Sequence, residues 1–96
     1  MKKDFNKKFV NLRGQEIEGD TIADSIANQL FVAGIQPEQI NNADKFKAYK
    51  ISTKLVANNG VVELDESEIA LLKSFCEKCF AAGAYGQIVE ILEEDE

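Results

Sequence analysis

The 96-residue chain has no histidine and no tryptophan, a single proline, Pro37, and only two cysteines. Without histidine it lacks a side chain whose unperturbed pKa lies near neutrality, which removes the commonest general base and metal ligand. No stretch approaches the roughly 18 apolar residues of a membrane span. The opening MKKDFNKKFVNL carries lysines but no apolar run of about 7–15 residues, so no signal peptide is expected. Two cysteines without a secretory signal indicate a reducing, cytoplasmic setting, where a structural disulfide is not expected. Phosphate-binding loops are missing too: neither G-x-x-x-x-G-K-[ST] nor a strand-flanked G-x-G-x-x-G occurs. Serines are present, but no histidine base accompanies them, so nucleophilic catalysis is unsupported.

What remains is the composition of a small folded domain, with 45% hydrophobic residues and six phenylalanines. A chain of this length buries roughly 60–65% of its unfolded surface, enough for one modest core. The expectation is one domain over 1–96, with a lysine-rich tail at 1–7 and an acidic end at 94–96 both frayed. The net charge of −6 is unevenly spread. Residues 1–58 hold nine basic and seven acidic side chains and carry +2; residues 59–96 hold two basic and ten acidic ones and carry −8. Such polarity suits electrostatic contact with a partner, including end-to-end assembly. A solvated surface that keeps a small protein soluble is the simpler account.

Along the chain, KFVNLRGQEIEGD reads as a β-hairpin, with Val10 and Leu12 alternating with polar neighbours and Arg13-Gly14-Gln15 as the turn. Asp20 or Thr21 caps a helix running to about Ala33, whose stripe is Ile22, Ile26, Leu30 and Ala33, closed by Gly34. A short helical turn at Pro37 fits the connection that follows. A second helix spans about Asn42 to Ala57, with Ala48, Ile51 and Leu55 on one face and Phe46, Tyr49 and Val56 flanking it. Asn58-Asn59-Gly60 ends that helix. Residues 61–64 form a strand, expected to pair with the hairpin. Asp65 and Glu68 make a capping box for a helix reaching about Ala81. Ala82-Gly83-Ala84 reads as a break before a last helix from Tyr85 to Glu93. The fold class is therefore α+β, a two- or three-stranded antiparallel sheet packed on three or four helices.

The one stretch resembling a chemical motif is SFCEKCF, which places Cys76 and Cys79 in a C-x-x-C. Ile69, Leu72, Cys76, Cys79 and Phe80 follow helical spacing, so both thiols fall on the apolar stripe. Unpaired cysteine is among the most readily buried side chains. A zinc site needs about four ligands, and this chain offers two cysteines and no histidine. A thioredoxin-type pair sits at a helix N-terminus, whereas this cap lies about ten residues upstream. Core packing is the reading, ahead of a metal or redox role. Carboxylates at Glu63, Asp65, Glu66 and Glu68 lack calcium-loop spacing, and helix capping already explains two of them. No catalytic residue, metal ligand or cofactor is expected.

The candidates for contact with a partner are then three. The hairpin edge offers Val10 and Leu12, with Val62 on the adjoining strand, as a place for strand addition. Lys47, Lys50 and Lys54 form a stripe on the second helix. Glu90, Glu93 and Glu94 form an acidic end. Nucleic acid is disfavoured as a ligand, because counterion release rewards a basic face and the sequence pI is near 4.7.

Four segments resemble small proteins encoded by tailed phages and prophages. FVNLRGQEIEGDTIADSIANQL is similar to their opening strand, turn and helix, and DKFKAYKISTKL to their middle helix. VVELDESEIALLKSF is similar to their strand-to-helix passage, and GQIVEILEE to their ending. The resemblance spans most of residues 9–94; the C-x-x-C is not part of it, and it supplies no catalytic residues. It implies a non-enzymatic protein–protein interaction module of a phage, prophage or mobile element, in assembly or as an accessory factor. The chain would then act in the cytoplasm of a bacterial or phage-infected host cell, on a protein partner or as a homo-oligomer. The alternative is an acidic regulatory inhibitor that occupies a basic or nucleic-acid-binding cleft of a host protein.

Overall fold

Short polar side chains set the starts of two helices. Thr21 Oγ1 accepts from the Asp24 N–H at 3.2 Å, and Asp65 accepts from the Glu68 N–H at 2.8 Å while Glu68 accepts from the Asp65 N–H at 3.0 Å. Both caps satisfy amides that a first helical turn leaves without partners. The computed structural model describes residues 1–32 and 42–94. In chain order the elements are β1 (Lys2–Asp4), β2 (Lys8–Val10), β3 (Glu16–Thr21), α1 (Ile22–Phe31), α2 (Asn42–Ala57), β4 (Val61–Glu63), α3 (Glu66–Cys79) and α4 (Ala82–Glu93). The architecture is α+β, with two small antiparallel sheets, β1–β4 and β2–β3, set against the helices. Ala33, Gly34 and the turn expected at Pro37 lie outside the described residues, as do residues 95 and 96 of the acidic end.

The expected hairpin is present, its turn closed by Asn11, whose side chain accepts from the N–H groups of Arg13 and Gln15. Its register then breaks. Lys8 pairs with Thr21 and Val10 with Glu16, so the intervening residues of β3 bulge away from the ladder. Gly19, at φ 129°, takes up the distortion in a backbone region that side chains resist.

Two expectations change at the N-terminus. Residues 2–4 form β1 instead of fraying, and β4 pairs with β1 instead of with the hairpin. In β1 the inward position is Lys3, and Phe5 just beyond the strand also turns inward; both are buried. Phe5 joins the core, and Lys3 Nζ donates to the backbone carbonyl of Glu94 at the end of α4. Helix C-termini carry partial negative charge, so an inward ammonium finds compensation there. The ladder continues past the strand, with the Phe5 N–H donating to the Gly60 carbonyl at 2.7 Å.

That contact explains Gly60. Asn59 (φ 54°) and Gly60 (φ 87°) turn the chain from α2 into β4 in left-handed conformations. A Cβ on Gly60 would stand 2.9 Å from Ala23 Cβ and 2.9 Å from the Asn6 nitrogen. Only glycine lets the three segments close on one another.

The core is one connected cluster drawn from every helix and from the β1–β4 side. Ile22, Ile26 and Leu30 come from α1, Ala48, Ile51 and Leu55 from α2, Ile69, Leu72 and Cys76 from α3, and Ile88, Ile91 and Leu92 from α4. The α3–α4 boundary differs from expectation. The chain is extended at Phe80 and Ala81, and Ala82-Gly83-Ala84 opens α4. The extended residues let the Phe80 ring reach Phe9, 6.3 Å away between centroids. Gln87 steadies the glycine-containing turn by donating to the Gly83 carbonyl. Among the described residues no helix is long and apolar enough to cross a membrane.

Candidate functional site

The two cysteines part company. Cys76 is fully buried on the stripe of α3, whereas Cys79, at the last turn, is only half-buried. They are not joined by a disulfide. Burial, aided by the neighbouring Cys79, pushes the Cys76 thiol up to about 12 from an ordinary 9.0. It is thus almost wholly protonated at neutral pH, and the thiolate is the reactive form. Among the described residues no three cysteine, aspartate or glutamate side chains converge as metal ligands would.

The lysine stripe divides in the same way. Lys47 donates to Ser67 Oγ at 3.1 Å, and Lys54 pairs with Glu68 at 3.1 Å and reaches the Glu63 carbonyl at 3.3 Å. Both reinforce the start of α3, and the Asp65 carboxyl there lies below its ordinary value. The Glu68 N–H is the main cause and the Ser67 hydroxyl the next, with the Lys47 charge assisting. Lys50 alone turns outward, its ammonium 4.7 Å from the centre of the Phe46 ring.

At the hairpin, the proposed edge is already occupied. Gln87 accepts from the Val10 N–H at 2.9 Å and donates to its carbonyl at 3.0 Å, filling the place an incoming strand would take. Val62 is corrected outright: at 2% exposure it points into the core and cannot meet a partner. Leu12, by contrast, is fully exposed at the turn. Of the acidic trio, Glu93 pairs with Lys73 at 3.0 Å, while Glu90 and Glu94 are exposed.

The structure assembles one surface that sequence reasoning missed. Phe31 of α1 and Phe46 and Tyr49 of α2 are 66%, 58% and 51% exposed. The Tyr49 ring lies 6.3 Å from Phe31 and 6.4 Å from Phe46, stacked on the latter with planes 15° apart. Val56 extends this ledge, exposed beside a shallow groove where α1 meets α2. Lys45 and Lys50 stand exposed around it. Its signal is present in the sequence as helical phase. At 100° per residue, Phe46 lies about 170° from the Ala48–Ile51–Leu55 stripe, on the side facing water. Searches against protein-family models, curated proteins and solved structures find no match to this chain.

Proposed function

We propose that this chain is a non-enzymatic protein–protein interaction module of a phage, prophage or similar mobile element, working in the cytoplasm. The observation that carries the interaction reading is the aromatic ledge, in which Tyr49 joins the rings of Phe31 and Phe46 and all three are left in water. Single exposed apolar residues are ordinary; a contiguous group rimmed by cations marks a surface suited to a partner. Aromatic side chains supply large contact area for little lost side-chain freedom, which is why they anchor interfaces. With Lys45 and Lys50 at its margin, the ledge fits a partner that sets carboxylates beside its own apolar anchors. The non-enzymatic part rests on the lack of histidine and on the buried, protonated Cys76 thiol. The mobile-element setting rests on the four segment resemblances alone.

The test is comparative capture from bacterial lysate by immobilised wild type and by a Phe46→Ser, Tyr49→Ser double variant. Both positions are exposed, so the variant should keep the wild-type circular dichroism. A protein recovered at least about tenfold better by the wild type supports the reading. Identical recoveries would overturn it.

A further inference from the structure

The ledge has a counterpart on the same molecule. Between the β2–β3 hairpin and the first turn of α4 lies an open cleft of about 700 Å³, walled by Phe9, Leu12 and Ile17 with Gly83 at its floor. Leu12 and Ile17 are aliphatic side chains left in water, and a Cβ on Gly83 would meet nothing within 4 Å. Apolar walls over an open floor can receive a ring. Glu18 and Asp20 line the cleft and Glu16 is exposed on the same strand, while Arg13 stands at the hairpin turn and Lys7 and Lys8 line the neighbouring groove beyond Val10 and Gln87. The ledge shows the reverse pattern, aromatic anchors rimmed by Lys45 and Lys50.

We infer that the cleft of one copy receives the aromatic ledge of another, so that the chain assembles head to tail. This rests on the reading of the ledge as an interaction surface and names its occupant. Charge complementarity selects the pairing: ledge against ledge would oppose lysines to lysines, and cleft against cleft carboxylates to carboxylates. The placement of the two surfaces makes it extendable. Ser25 borders the cleft and Phe31 belongs to the ledge, and at 100° per residue they lie on opposite flanks of the buried stripe of α1. Neither surface blocks the other, so each copy engages two neighbours. A contact between unlike patches closes only as a ring and otherwise runs on as a filament.

Light scattering coupled to size exclusion, on the purified full chain at 50 mM salt, tests this with complementary variants. Phe46→Ser with Lys50→Glu disables the ledge; Leu12→Ser with Glu18→Lys disables the cleft. All four positions are exposed, and circular dichroism verifies that each variant is folded. The wild type should grow in mass with concentration beyond a dimer and weaken about fivefold or more between 50 and 500 mM salt. Each variant alone should need at least about tenfold higher concentration to associate. Their equimolar mixture should form a dimer and stop, because one ledge and one cleft remain intact. A monomeric wild type, or a mixture that stays monomeric, overturns head-to-tail assembly. So does association abolished by the ledge changes and untouched by the cleft changes. If the wild type is monomeric while lysate capture still depends on Phe46 and Tyr49, self-assembly falls and the interaction module stands.

Discussion

Raising the pH should destabilise this protein through Cys76. The side chain is fully buried, and burial holds its thiol up at about 12 from an ordinary 9.0. In the unfolded chain the thiol ionises near 9.0, while the native state keeps its proton until about 12. Over that window the unfolded state binds fewer protons, so stability falls as pH rises. It is unaffected below pH 9, then declines by about 1.4 kcal/mol per pH unit, reaching about 4 kcal/mol at pH 12. A domain of this size has roughly 5–10 kcal/mol to lose. Tyrosines and lysines titrate in the same range, so the informative quantity is the difference from Cys76→Ala. That variant gives up about 1–2 kcal/mol of packing at pH 7 but carries no buried thiol. The two stability curves should therefore cross near pH 10, with the variant more stable beyond it. Urea unfolding followed by circular dichroism suits the measurement, because the chain has no tryptophan. A wild-type-minus-variant difference that stays constant from pH 8 to 11 would refute the reasoning. An independent reading comes from alkylation at pH 8. Cys76 is both buried and held largely protonated, whereas Cys79 is partly exposed, so Cys79 should be labelled long before Cys76. Equal native labelling rates would again dispose of the buried thiol.

Three further perturbations probe the joints of the fold. Gly60→Ala should cost about 2–4 kcal/mol, combining a left-handed backbone angle with contacts at 2.9 Å to Ala23 and Asn6; a loss under about 0.5 kcal/mol in urea unfolding would show that the turn adjusts. Gln87→Ala should cost about 1–2 kcal/mol and speed hydrogen exchange of the Val10 amide, whose partner it removes; unchanged exchange there would mean that the edge is held some other way. Asp65, whose carboxyl is held below 3.8 by its capping contacts, adds stability above that value that is lost as pH falls through the lower native one. Asp65→Asn should therefore flatten the acid limb of the stability profile, and an acid limb of unchanged slope would count against the cap.

The elements legible in the sequence are those specified by neighbours in the chain. The Thr21 cap, the Asp65–Glu68 box, the hairpin turn and the Asn59-Gly60 reversal each need only a few adjacent residues. β1 needed more. Its one inward side chain is Lys3, with Phe5 just past the strand, a pattern that reads as tail until Lys3 meets the far end of α4 and β4 arrives from 59 residues away. The start of α4 hid behind the helix cost of glycine, about 1 kcal/mol, which burial of Ile88, Ile91 and Leu92 outweighs. The C-x-x-C was half legible for a related reason. Helical phase puts both thiols on one stripe, but the chain leaves α3 at Cys79, so packing that encloses Cys76 thins out one turn later.

The interaction surface was obscured by a different effect. Most aromatic residues belong in cores, and the spacing of Phe46 and Tyr49 beside the α2 stripe is compatible with that. Yet the buried stripe of α2 is narrow, made of Ala48, Ile51, Ser52 and Leu55, and α2 packs along α1. With that stripe turned to the core, rings 110° to 170° round the helix emerge into water. Their exposure thus follows from where the buried stripe of α2 lies on the helix. A surface that the fold does not bury for itself, and that its own acidic cleft complements, is the place to seek what binds.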